Sequence, residues 1–182
     1  MAFNVQDFSS ALPKGGARSG LFRCRLSIPS SLTNRGEAEK YALTAHAASI
    51  PSSTIEPTDV AYFGRTFSIP GTRTFEDWTT TIYNTEAYEV RDMFESCSAR
   101  INGHETNITL ETLGLCSGSY TQDIEVELWS KDGNIIRTYK MVDAWPTSIG
   151  ATDLAWEGND IQTFEVTWSY NYWVVVRSPR PQ

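Results

Sequence analysis

Residues 71–95, GTRTFEDWTTTIYNTEAYEVRDMFE, decide the fold. The stretch opens on a glycine turn and runs into a strand from Arg73 to Tyr83, β-rich through Thr79, Thr80, Thr81 and Ile82 and carrying Trp78. After the turn residues Asn84 and Thr85 the pattern becomes helical over Glu86–Cys97. Asn84 or Thr85 can cap that helix, and Glu86 and Glu89 sit in its first turn, where the dipole favours negative charge. Ala87, Val90, Phe94 and Cys97 recur at helical spacing as a narrow apolar stripe. In a straight strand Arg73 and Asp77 share a face, about 13 Å apart at roughly 3.3 Å per residue, with Phe75 between them. They cannot pair with each other there, so each pairs with another element or subunit, or stays solvated.

Working towards the N-terminus, Ala61–Ile69 reads as a strand closed by Pro70-Gly71, and Pro51 and Pro57 confine the segment before it to an edge or a bend. Tyr41–Ile50, small and apolar, is a candidate strand, and residues 30–40 a polar loop after Pro29. Phe22–Ile28 alternates strictly, with Phe22, Cys24, Leu26 and Ile28 on one face and Arg23, Arg25 and Ser27 on the other, the signature of a half-buried strand. Residues 1–20, rich in Ser, Gly and Ala, read as an arm without a core of its own, which leaves residues 21–182 as a single domain.

Towards the C-terminus, residues 98–119 carry turn pairs and little periodicity and read as a long loop. Gln122–Ser130, Asp132-Gly133 and Ile135–Val142 form the clearest hairpin, since Asp-Gly between two β-rich runs is a strong turn signal. Ala144–Gly150 is a turn-rich connection around Trp145-Pro146, residues 151–156 a short strand, and Ile161–Val176 a long final strand. On that strand Phe164, Val166, Trp168, Tyr170 and Tyr172 lie on one side and Thr163, Glu165, Thr167, Ser169 and Asn171 on the other. The sum is a mainly β domain, an antiparallel sandwich or barrel with one short α-helix.

The 182 residues suffice for one ordinary domain, and 40% hydrophobic with 12% aromatic content places the chain among globular proteins. No apolar run reaches membrane-spanning length, and Met1–Asp7 lacks the basic and apolar regions of a secretory signal, so the chain is expected to stay in the cytoplasm where it is made. Cys24, Cys97 and Cys116 are odd in number and widely spaced, and only His46 and His104 could join them, so neither zinc nor another cofactor is expected. The formal charge of −7 disfavours a tight grip on nucleic acid. Catalytic constellations are also missing. His104-Glu105 has no partner motif, and Glu76 and Asp77, adjacent on a strand, point to opposite faces. No enzyme is expected.

The strand R-T-F-E-D-W (Arg73, Phe75, Asp77 and Trp78 within it), followed by N-T-E-A, resembles the tail tube proteins of contractile-tailed, T4-like bacteriophages. A second stretch, DAWPTSIGATDLAWEGNDIQTFEVTWSYNYW at 143–173, agrees: the W-P-x-x-I-G turn (Trp145, Pro146, Gly150), the later L-x-W and the I-Q-T-F-E-V-T strand follow in the same order. The resemblance implies a structural subunit whose sheets join edge to edge in six-membered rings. Rings stack into a hollow conduit for genome DNA inside a contractile sheath. The implied partners are other copies, the sheath protein, the tape measure protein, and baseplate and terminator proteins, with DNA as passing cargo. The implied location is the virion tail, after assembly in the host cytoplasm. Contacts between rings fall by position to residues 1–20 and 98–119. A tube subunit of a phage-like injection or secretion device and a monomeric β-sandwich binding module are the alternatives.

Two polar stripes are candidates for the bore. Asp123, Glu125 and Glu127 share one side of the Gln122–Ser130 strand, opposite Ile124, Val126 and Leu128. Thr163, Glu165 and Thr167 belong to the polar side of the final strand. A wall of short polar groups and carboxylates repels phosphates and offers no sticking point. The final strand is the better candidate, its short side chains making a smooth wall, while the hairpin stripe fits the sheath side equally well.

Overall fold

The computed structural model describes residues 4–12, 15–27, 35–105 and 120–176. In chain order the elements are α1 (Val5–Ala11), β1 (Phe22–Ser27), α2 (Arg35–Thr44), β2 (Ala45–Ala48), β3 (Thr54–Tyr62), β4 (Arg65–Thr74), β5 (Trp78–Tyr83), α3 (Glu89–Ile101), β6 (Gln122–Trp129), β7 (Ile135–Ile149), β8 (Thr163–Ser169) and β9 (Tyr172–Val176). Antiparallel pairing gives the order β1-β6-β7-β8-β5-β2, with β9 beside the first half of β7. The sheet folds over in the middle of β7. Thr138–Val142 pairs with β9 while Trp145–Ile149 pairs with β8, and Asp143 at the corner takes φ 55°. The edge strands β1 and β2 come back near each other, so the sheet is close to a barrel.

Alternation explains the core. Cys24 and Leu26 of β1, Ile124 and Val126 of β6, Met141 of β7, Trp78, Thr80 and Ile82 of β5, and Phe164, Val166 and Trp168 of β8 all turn inward and are buried. Helix α3 closes the remaining side with Val90, Met93 and Phe94. The Phe94 ring meets Trp168 edge-on at 5.6 Å and Tyr41 of α2 at 5.7 Å. The two buried tryptophans have polar partners, as their N–H groups require. Trp78 Nε1 donates to Ser49 O at 2.7 Å, and Trp168 Nε1 to Thr80 Oγ1 at 3.3 Å.

Several expectations are corrected. The helix begins at Glu89, not Glu86; Tyr88 stands at its N-cap with φ 53°, neither Asn84 nor Thr85 caps it, and Ala87 is exposed ahead of it. Among the described residues there are two further helices. Arg35–Thr44, expected as loop and strand, is α2, whose Glu, Ala, Lys and Leu are good helix formers although only Tyr41 and Ala42 are buried. Within the arm, Val5–Ala11 forms α1, capped by Asn4 Oδ1, which accepts from Gln6 N at 3.1 Å. Ala144–Gly150 belongs largely to β7, and residues 151–156 form no strand. The long final strand is two, because the chain bends at Tyr170-Asn171. Trp173 and Val175 therefore turn inward, and Tyr172 lies outside. In the 98–119 segment, residues 98–101 end α3, and residues 106–119 lie outside those described.

The largest departure is at 54–74. Ala61–Ile69 is not one strand, because Phe63 (φ 44°) and Gly64 (φ 76°) make a two-residue turn of the kind that suits the twist of a hairpin. β3 and β4 thus form a separate ribbon that packs on no other strand or helix of the described subunit. Gly71 lets its strands approach, since a Cβ there would stand 2.5 Å from Thr58 Oγ1 and 2.7 Å from Glu56 O. The ribbon ends at Thr74, so Arg73 and Asp77 are not on one strand and the 13 Å separation does not apply.

Trp168→Ala should destabilise the subunit by about 3–5 kcal/mol, through lost burial plus a cavity that the surrounding sheet cannot fill. Denaturant unfolding of the dispersed subunit measures this, and an unchanged midpoint would mean that this ring does not hold the two halves of the barrel together.

Candidate functional site

The outer face of β5 and β8 is built from short hydroxyl side chains. Across the register Thr79 faces Thr167, and Thr81 faces Glu165, with Ala47 of β2 beyond Thr81 and Ser148 of β7 beyond Thr167. The threonines are half-buried and Glu165 is exposed, the one charged side chain in those rows. Thr163 continues the row opposite Tyr83, whose ring meets His46 edge-on at 4.3 Å. Thr163, Glu165 and Thr167 thus come together on one wall.

The other stripe is brought together too, but it is not bare. β1 lays Arg23 beside Glu127 and Arg25 beside Glu125, and β7 lays Thr138 and Lys140 along the opposite side. Lys140 Nζ lies 2.7 Å from Asp123 Oδ2, a contact that raises the lysine's pKa. Arg25 Nη1 lies 3.4 Å from Glu127 Oε1. Glu127 is buried, 4% exposed, and its second oxygen has no partner among the described residues. Three carboxylates are matched by three cations, so this face has little net charge. The sequence hid this because each cation stands on a neighbouring strand.

The motif residues serve the fold. Trp145 is half-buried and meets Tyr120 edge-on at 6.4 Å, whereas Pro146 is buried beside Trp168. Proline cannot donate to the ladder, and a register shift just after it is followed by Thr147 Oγ1 donating to Thr167 O at 3.1 Å. Gly150 N donates to Glu165 O at 2.6 Å, and a Cβ on Gly150 would stand 3.1 Å from that same oxygen. Phe75 packs against the core near Tyr170, while Arg73 and Asp77 are exposed. Among the described residues no cluster of His, Cys, Asp and Glu could hold a metal ion, and no helix is long and apolar enough to cross a membrane.

These faces stand on a fold with known relatives. Residues 17–176, a span that takes in every described strand, match the family described as phage tail tube protein. The chain belongs to that family. It is 29% identical over 172 residues to "Tail tube protein gp19" of Enterobacteria phage T4, covering 93% of this chain and 98% of that protein. It is 26% identical over 161 residues to the "Tail tube protein" of Serratia phage KSP90, covering 87% of this chain and 89% of the relative. Among solved structures, a chain of the PVC sheath-tube complex of an extracellular contractile injection system in the extended state shares the fold. Its TM-score is 0.59 at 14% identity, over 97% of this chain and all of that one. A chain from the cap of the anti-feeding prophage has a TM-score of 0.61 at 15% identity, over 89% of this chain and 91% of that one. The mainly β, antiparallel architecture expected from the sequence is thereby shared by both structures.

Two surfaces went unread in the sequence, the β3–β4 ribbon and the loop at 150–162. The ribbon's signal was present in Phe63-Gly64, which a continuous β-rich reading ran through.

Arg25→Ala should cost about 1–3 kcal/mol, because it leaves the buried Glu127 carboxylate without its cation. Adding Glu127→Leu should recover most of that loss, and a double-mutant cycle of unfolding energies tests the pair. Cys24 supplies a second check. Burial lifts its thiol from 9.0 to about 12, and Tyr41 is also pushed up by burial. Both folded values exceed the unfolded ones, so the contribution of Cys24 is fully present below pH 9 and is lost as pH rises towards 12, while that of Tyr41 is fully present below pH 10 and falls above it. Stability should therefore fall over that window, and mapped alkylation at neutral pH should spare Cys24 in the native subunit.

Proposed function

We propose that this chain is the structural subunit of a phage tail tube, assembled as six-membered rings that stack into a hollow conduit for genome DNA inside a contractile sheath. The match along residues 17–176 carries this reading. Sheath, baseplate, terminator and tape measure proteins are its partners, and the assembled protein resides in the virion tail after assembly in the host cytoplasm. It has no catalytic role. Rings close by pairing sheet edges between subunits, which removes edge strands that would otherwise invite aggregation. The division into an arm, residues 1–20, and a β domain, residues 21–182, belongs to the same reading. Val5 and Phe8 of α1 are exposed and gain cover from a neighbouring copy.

The β5–β8 face is assigned to the bore. Its threonines and single carboxylate give DNA neither a cation to hold nor a large side chain to catch on. The β1–β6–β7 face is assigned to the outside of the tube, because its carboxylates already have cations beside them and contribute little repulsion. A tube subunit of a contractile injection device is the second reading, favoured by the full-length likeness to the PVC chain.

Electron microscopy of the purified protein should show six-fold rings or hollow tubes, formed spontaneously at high concentration or on an initiating baseplate. A monomer at every concentration, with no tubes even in assembled particles, would leave a β-sandwich binding module as the better description. Glu165→Lys should slow DNA ejection most at low ionic strength, since six lysines per ring would attract the passing phosphates and salt screens that attraction. Ejection rates indifferent to the substitution at every salt concentration would remove Glu165 from the bore.

A further inference from the structure

Strand β2 sets an imidazole on the hydroxyl wall. The strand reads Ala45-His46-Ala47-Ala48, so His46 stands among methyl groups too short to shield it. Its pairing with β5 fixes which way each residue faces. Ala45 lies opposite Ile82 and Ala48 opposite Thr80, both buried, while Ala47 lies opposite Thr81 on the outer face. Strict alternation from Ala47 would turn His46 into the core. Instead the register shifts between Ala45 and Ala47, which leaves His46 as the extra residue of a bulge. Bulges re-aim side chains and are over-represented at sheet edges and next to functional sites. The imidazole comes out exposed, its ring edge-on to Tyr83 at 4.3 Å. Tyr83 lies opposite Thr163, the outward residue next to Glu165 along β8.

Among the described residues His46 is in no ion pair. The charged and titratable groups on the elements packed against β2 have other surroundings. On β5 the only such group is Tyr83. On β1, Cys24 is buried, and Arg23 and Arg25 lie along the Glu127 and Glu125 side. Helix α2 runs directly into β2. Its Tyr41 is buried, its Lys40 is bonded to Glu89 of α3, and Glu39, Glu37 and Arg35 begin more than a turn back along it. Beyond β5, Glu165 shares the wall, and Asp153, Glu157 and Asp160 belong to the loop that enters β8. Histidine is the side chain whose ordinary charge change falls between pH 5 and 8, a range in which carboxylates stay ionised.

We infer that His46 is a pH-responsive charge on the wall of the bore: when protonated it sets a cation near each Glu165, and DNA that otherwise slides past is retarded. In a six-membered ring, six imidazolium groups then offset the six Glu165 carboxylates of the wall. Phosphate attraction adds up over many contacts, so a small effect in one ring grows along a stack of rings. The inference rests on the assignment of the β5–β8 face to the bore and gives that face a condition under which its repulsion is lost.

The test is the rate of DNA ejection from assembled particles at about pH 7.5 and about pH 5.5, in low salt. Wild-type ejection should be several-fold slower at the lower pH, and added salt should remove most of the difference. His46→Asn, which takes no charge, should eject equally fast at both pH values, and His46→Lys slowly at both. The chain has two histidines, and His104→Asn should behave as wild type. Equal wild-type rates at the two pH values overturn the inference, as does slowing that survives in His46→Asn or disappears in His104→Asn. Glu165→Lys separates this outcome from the bore assignment. If it slows ejection while neither His46 variant changes the pH response, His46 alone is removed from the bore. If ejection is indifferent to all three substitutions, the bore assignment falls and this inference with it.

Discussion

The barrel depends on two strands changing sheets at the same level. β7 turns at Asp143, and the last run of chain turns at Asn171. The two corners are tied together: Asn171 N donates to Val142 O at 3.2 Å, and Asn171 Nδ2 donates to Asp143 Oδ2 at 3.0 Å. Thr121 Oγ1 donates to Asp143 Oδ1, and Asp143 N donates to Asp123 Oδ1, both at 3.4 Å. Aspartate is among the few side chains that take a left-handed conformation at small cost, because its carboxylate can bond locally. Without these corners, the seven strands would form an open sheet with one largely apolar face. With them, Trp173 and Val175 of β9 return to the core that Phe164, Val166 and Trp168 of β8 began.

That joint also marks the limit of what the sequence disclosed. Periodicity found the inward faces of β1, β6 and β8 residue by residue, because alternation is a local property of a strand. It carried the final strand straight through Tyr170-Asn171 and put Tyr172 inside, because a corner is fixed by hydrogen bonds to Val142 and Asp143, far away in sequence. The same blindness applied to Asp123, Glu125 and Glu127. Their alignment on one face was legible, but the lysine and arginines that neutralise it belong to β1 and β7 and appear only once register is known. Helix α2 escaped for a different reason: with only Tyr41 and Ala42 buried, it shows almost no apolar stripe. The motif tryptophans, by contrast, were found by type and order, which survive any error in element boundaries.

Register also decides where the acidity of the chain acts. A formal charge of −7 says only that the molecule as a whole repels phosphate. On the β1–β6–β7 face, carboxylates and cations alternate within a few ångströms, and at physiological salt such a surface has little field beyond the Debye length of about 8 Å. On the β5–β8 face one carboxylate stands among hydroxyl groups with no cation in its rows. The loop at 150–162 adds three more carboxylates at the end of the same sheet. Of the two faces, the one with unmatched charge is therefore β5–β8 with its entry loop, although the hairpin stripe has more acidic residues. Counting carboxylates along a strand ranks the two faces one way, and pairing them across strands ranks them the other. On the proposal that DNA slides past one of these two faces, unmatched negative charge with nothing to grip favours the β5–β8 wall.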